Sequence, residues 1–87
     1  MAEVHLPKTL LPLFAGLSPV VTADGATVGD ALTALDGRWP GLMDRLCEPG
    51  PRLRRHIRVF VDRGPAELAT PVGERARIDV LTAITGG

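Results

Sequence analysis

Asparagine, glutamine and tyrosine are missing from the 87 residues, and serine, cysteine, lysine and tryptophan occur once each, as Ser18, Cys47, Lys8 and Trp39. His5 and His56 complete a meagre stock of bases, nucleophiles and hydrogen-bonding side chains. Enzyme sites draw on several such groups held in one cleft, so this chain is poor material for a catalyst. A lone cysteine cannot close an intramolecular disulfide and fits a reducing compartment. Neither sign of charge is in excess, with 10 basic side chains against 10 acidic ones. That balance argues against non-specific nucleic-acid binding, which needs surplus Lys and Arg. No long apolar run is present either. The stretch from Leu10 to Leu17 is broken by Pro12 and Gly16, far short of the ~20 residues that cross a bilayer. The segment before it carries Glu3 and no basic cluster, unlike a signal peptide. These absences lead us to expect a cytoplasmic, soluble protein, monomeric when free, with no membrane or nucleic-acid partner.

What is present suffices for one domain and one small core. Val4 to Leu10 opens as a strand with Val4 and Leu6 in one phase and His5 in the other. Leu10 to Gly16 turns the chain, Pro19 to Ala23 reads as a second strand, and Asp24-Gly25 marks the turn after it. Thr27 has the character of a helix N-cap, with Asp30 three residues on. Val28, Ala31, Leu32, Leu35 and Trp39 follow at the spacing of one apolar helix face, with Trp39 read as core, and Gly37 and Pro40 as the stop. Leu42, Met43 and Leu46 indicate a short helical turn before a Pro49-Gly50-Pro51 loop.

Ile57 to Val61 alternates cleanly, with Ile57, Val59 and Val61 on one face and Arg58 and Phe60 on the other. A loop-rich section runs from Arg63 to Ala76, with a short edge strand expected near Leu68 to Val72. Arg77 to Ala83 is the last strand, with Ile78 and Val80 inward. Strand, strand, helix, strand, short strand, strand predicts an α+β fold, one main helix packed on one face of a mixed sheet.

Ile84-Thr85-Gly86-Gly87 follows directly on that last strand. Two closing glycines bury nothing and lose backbone entropy if ordered, so their use is steric. Lacking Cβ atoms, they thread a narrow channel, and four extended residues reach at most ~14 Å. Residues 84–87 are thus expected to be a flexible tail on a domain spanning 1–83. The α-carboxylate of Gly87 titrates near ~3.5 and is ionised at neutral pH. It is a poor acyl donor until an acyl-adenylate supplies a leaving group. A frayed terminus is the plain alternative; the element order and the position after the last strand weigh against it.

With that order and the closing Thr85-Gly86-Gly87, the chain resembles the β-grasp (ubiquitin-like) sulfur carriers. These include the small subunit of molybdopterin synthase and the thiamine-pathway sulfur carrier. The resemblance covers essentially the whole chain. Leu46 through Pro49-Gly50 to Leu53, Arg55 and Ile57 to Asp62, the Thr27-Val28-Gly29-Asp30-Ala31-Leu32 segment and the Leu68-Ala69-Thr70 patch are most similar to the mycobacterial-type branch that feeds cysteine synthesis. Two loops depart from the family pattern: Leu11-Pro12 lacks an Arg after the first strand, and Gly73-Glu74-Arg75 replaces an Asp-Gly-Asp turn.

The resemblance implies that a ubiquitin-activating-like adenylyltransferase/sulfurtransferase, holding Mg-ATP, converts Gly87 to a thiocarboxylate. The carrier itself would bind no cofactor and catalyse nothing. The sulfur would pass to an acceptor enzyme, such as a pyridoxal-phosphate cysteine synthase or another thiolation enzyme. A protein modifier that forms isopeptides through Gly87 shares the same activation, and the residues do not separate the two.

Phe60 and Leu81 are large apolar side chains in outward strand phase, a mark of partner sites. With Ile84 and Arg58 they form the expected docking set, while Gly86 and Thr85 give the tail access. Arg52, Arg54, Arg55, His56 and Arg58 make a basic cluster, which is either a solvated edge or a means of steering toward an acidic partner. Too few aromatics accompany it to stack nucleic-acid bases. Cys47 and His56 lack an orienting third group for nucleophilic catalysis. No spacing resembles a metal site. Gly25 and Gly29 lack the Gly-Lys-Ser/Thr end of a phosphate loop.

Overall fold

The computed structural model describes residues 1–82. Along the chain lie β1 (Ala2–His5), a 3-10 helix (Lys8–Leu13), β2 (Val20–Ala23), α1 (Val28–Arg38), α2 (Leu42–Leu46), β3 (Cys47–Glu48), β4 (Arg52–Leu53), β5 (Ile57–Val61), β6 (Gly64–Ala66) and β7 (Arg77–Thr82). Five strands form one mixed sheet in the order β2-β1-β7-β5-β6, and β3 and β4 form a separate hairpin. β7 runs parallel to β1 and antiparallel to β5, so the last described strand is the middle of the sheet. The α+β, β-grasp architecture read from the sequence is the one observed.

Alternation in the strands and the stripe on α1 meet in a single core. Ala2, Val4, Ile57, Val59, Ile78 and Val80 point inward, each at most 3% exposed. Facing them are Val28, Ala31, Leu32 and Leu35 of α1, with Leu42 and Leu46 of α2, all at 1% or less. No polar or charged residue is buried among the described residues, so this core is purely apolar.

The start of α1 is satisfied by contributions from two directions. Asp30 N donates to Thr27 Oγ1 at 3.1 Å, the expected N-cap. Val28 N donates to the carbonyl of Thr70 at 3.0 Å and Gly29 N to that of Leu68 at 2.9 Å. Helix N-termini leave such donors orphaned, and here a distant segment supplies the acceptors. Gly29 eases the approach, since a Cβ there would lie 3.2 Å from the Leu68 carbonyl oxygen, a tighter contact than most side chains make.

That clamp corrects one expectation. The segment Leu68–Val72 is not an edge strand; its carbonyls serve the helix, and Thr27 and Pro71 form only an isolated bridge. The edge is β6, reached through a two-residue turn in which Asp62 and Arg63 both have positive φ, 48° and 73°. Two left-handed residues match the twist of a tight hairpin. Asp62 is held there by Arg77, whose N–H donates to Asp62 Oδ1 at 2.9 Å.

Three further differences have local causes. β1 ends at His5 instead of reaching Leu10, because Pro7 caps a 3-10 turn that buries Leu10. α1 passes through Gly37 to Arg38, and the chain leaves the helix at Trp39. Trp39 itself is half-buried, its indole N–H donating to the Ala15 carbonyl at 3.1 Å. The Pro49-Gly50-Pro51 loop proves to be the turn of the β3–β4 hairpin, pairing Cys47 with Leu53 and Glu48 with Arg52. Beside β2, Arg38 Nη1 donates to the Thr22 carbonyl at 2.8 Å while its guanidinium sits 4.5 Å from the Trp39 ring centre.

Thr27→Ala is expected to lower unfolding free energy by about 1 kcal/mol, the usual value of an N-cap. Leu32→Ala should cost about 3 kcal/mol by opening a core cavity. Urea unfolding followed by circular dichroism measures both, and equal losses for the two variants would contradict this assignment.

Candidate functional site

β7 exits the sheet beside the start of β5, with Thr82 paired to Ile57 and Leu81 to Arg58. Around Thr82 lies a hollow lined by Pro7, Leu13, Arg45 and His56 among others. Of the expected site residues, Ile84, Thr85, Gly86 and Gly87 lie outside the described residues, as does Ala83 of the expected strand. The other three, Arg58, Phe60 and Leu81, share the outer face of the sheet.

The register orders that face into rows. One row across the strands reads Val20, His5, Asp79, Phe60, Pro65, each directly opposite its neighbour. The next row toward the end of β7 pairs Leu81 with Arg58. Phe60 and Leu81 are therefore diagonal neighbours, within mutual reach of large side chains. Leu81 is 49% exposed, whereas Phe60 is half-buried. The row on the far side is charged: Thr22 opposes Glu3 and Glu3 opposes Arg77.

Charges between these rows are paired locally. Arg77 Nη2 lies 3.0 Å from Asp79 Oδ1, and the hydrogen bond to Asp79 holds the Arg77 guanidinium further above its ordinary pKa. The His5 ring nitrogen lies 2.6 Å from Glu3 Oε1. Arg58 Nη1 donates to the carbonyl oxygens of Arg55 at 2.8 Å and Ile57 at 3.2 Å, fixing the side chain beside Leu81. The outer face thus grades from paired charges to an apolar end flanked by an arginine at the exit of β7.

Two apolar positions here were not singled out in the sequence. Val20 is 44% exposed and Leu13 is 49% exposed. The Val20-Val21 doublet held the signal for the first, since adjacent strand residues face opposite ways. Leu13 gave none, because its exposure depends on the 3-10 turn.

Cys47 is buried, and burial pushes its thiol pKa up while nearby Arg54 opposes the shift. A nucleophilic cysteine requires the reverse. His56 is exposed. The folded chain holds the Cys47 proton more tightly than the unfolded one, so the linked stability is present at neutral pH and declines as pH rises through the thiol range.

Among known families, the model of the ThiS family matches residues 7–87. The chain belongs to the ThiS family. A curated relative, the sulfur carrier protein CysO of Mycobacterium tuberculosis, is 29% identical over 90 residues, covering 97% of this chain and 96% of that protein. In three dimensions this ThiS-family chain is similar to a chain of the Amycolatopsis orientalis BexX/CysO complex, with TM-score 0.87, 28% identity and full coverage of both chains. It is also similar to SAMP1 of Haloferax volcanii, with TM-score 0.77 and 30% identity over 99% of this chain and 98% of that one. Two of the segments that carried the resemblance, 27–32 and 68–70, hydrogen-bond to each other at the start of α1. No helix among the described residues is long and apolar enough to cross a membrane.

Neighbouring substitutions on β7 should behave oppositely. Leu81→Glu is expected to change unfolding free energy by less than about 0.5 kcal/mol, whereas Val80→Asp should unfold the domain by burying an unpaired carboxylate. Similar urea midpoints for both variants would refute the face assignment. Alkylation of Cys47 by iodoacetamide at neutral pH should be far slower in the folded chain than in urea, and matching rates would show the thiol to be accessible.

Proposed function

We propose that this ThiS-family chain is a sulfur carrier whose Gly87 α-carboxylate is the point of attachment. A ubiquitin-activating-like partner, holding Mg-ATP, joins the carboxylate to AMP and releases pyrophosphate. A hydrosulfide-level sulfur nucleophile then displaces AMP to give a thiocarboxylate. Residues 84–87 form the tail that enters the partner's site, with Gly86 and Thr85 giving it access. Leu81, Phe60, Arg58 and Ile84 dock the carrier. The chain serves as a protein cosubstrate, and the chemistry is done by its partners.

The observation carrying this reading is the family match running through residue 87, over a sequence that closes Thr85-Gly86-Gly87. Similarity to CysO, a sulfur carrier protein, supports the same role. The BexX/CysO likeness supports a partner enzyme. The acceptor would be a pyridoxal-phosphate cysteine synthase or another thiolation enzyme, in which the thiocarboxylate sulfur attacks an activated carbon.

Similarity to SAMP1 of Haloferax volcanii, a small archaeal modifier protein, favours a second reading. There the activated Gly87 carbonyl is attacked by a lysine amine, which expels AMP and forms an isopeptide.

Intact-mass analysis of the chain isolated from its host should find the increment of an oxygen-to-sulfur exchange at the C-terminus. Adducts on other proteins, with no exchanged form, would favour the modifier. Deleting Gly87, or adding one residue after it, should abolish loading without changing the urea midpoint. Leu81→Glu should weaken capture by the activating enzyme by about tenfold, and undiminished capture would remove this face from the docking set.

A further inference from the structure

Apart from Arg58, the basic cluster at residues 52–58 has no part in the reading above, and the fold gives it a specific setting. The β3–β4 hairpin stands beside β5 and the β6 edge, and between them runs a groove of about 900 Å³. Its lining includes Leu53, Val59, Ala66 and Leu68, of which Leu53, Ala66 and Leu68 are only partly covered by the core. Arg52, Arg54, Arg55 and Arg58 also line it, against Glu67 as the acidic lining residue.

The arginines differ in availability. Arg54 is spent on the Asp44 carbonyl, which it meets through Nε and Nη2 at 3.0 and 2.7 Å. Arg52 pairs with Glu48 at 2.8 Å but is 76% exposed, so that pair is weak and exchangeable. Arg55 is exposed, and its side chain makes no hydrogen bond among the described residues. Arg58 engages neighbouring carbonyls through Nη1, and stands where the groove meets the outer face of the sheet.

From this juxtaposition we infer that the groove is a docking site for an acidic segment of a partner protein, with apolar side chains between its carboxylates. Guanidinium forks at the rim suit carboxylates bidentately, and the exposed parts of Leu53 and Leu68 suit small apolar anchors. A nucleic acid fits less well, because Phe60 is the single aromatic side chain in the lining and bases need stacking partners. The site requires nothing of the tail. It adds a second, charge-steered contact to whichever partner takes Gly87, continuous with the sheet face through Arg58 and Phe60.

Fluorescence anisotropy on the full chain tests this with a short fluorescein-labelled peptide of aspartate and glutamate around a central leucine pair. Saturable binding is expected, falling with added salt and weakening about tenfold or more in Arg52→Glu/Arg55→Glu. Deletion of Gly86–Gly87 should leave it unchanged, so its outcome is separate from that of sulfur loading. An absence of saturable binding, equal binding by the double variant, or tighter binding of polyuridylate RNA would each overturn the assignment.

Discussion

Strand β7 is hydrogen-bonded on both flanks, parallel to β1 and antiparallel to β5, with Ile78 and Val80 sealed beneath it. Everything proposed for the chain depends on that placement. A strand at a sheet edge can fray or slip, whereas one in the centre has its register fixed twice. The exit point at Thr82 is therefore set relative to Arg58, Leu81 and the hollow around Pro7 and His56. A partner that recognises the sheet face meets the end of β7 at a fixed place.

The absence of buried polar groups is a second constraint with functional meaning. The described core contains no buried charge and no buried side-chain polar atom without a partner. Such an interior holds no poised acid or base, and the one buried thiol is pushed toward its protonated form. The scaffold is in this sense an apolar packing unit. Its surface is where the distinctions lie: paired charges on one end of the sheet, apolar residues and an arginine at the other, and an arginine-rimmed groove along the edge.

Much of this was legible because local signals agreed with the global fold. The alternation at 57–61 and 77–82, the stripe on α1 and the Thr27 cap each followed from spacing alone. What escaped required contacts distant in sequence. Leu68 and Thr70 look like strand residues until the unsatisfied N–H groups of Val28 and Gly29 draw their carbonyls away. Gly64-Pro65-Ala66 reads as loop, because Pro cannot donate to a ladder and is tolerated only at an edge. Arg63 is an unusual occupant of a left-handed turn and disguised the hairpin. The proposed docking residues split the same way: Leu81 and Phe60 were visible from strand phase, while the groove appears only once the β3–β4 hairpin is set against β6.

The contact between Arg38 and the Thr22 carbonyl bears on how such a molecule behaves in a crowded cell. β2 is an outer strand, and bare main-chain groups on an outer strand are a template onto which another copy can add. By covering one of those acceptors with a guanidinium stacked against Trp39, the helix blunts that template with a positive charge. A carrier of the proposed kind gains from being unattractive to its own kind. Arg38 thus shields the β2 edge, while standing on the opposite side of the sheet from the arginine-rimmed groove.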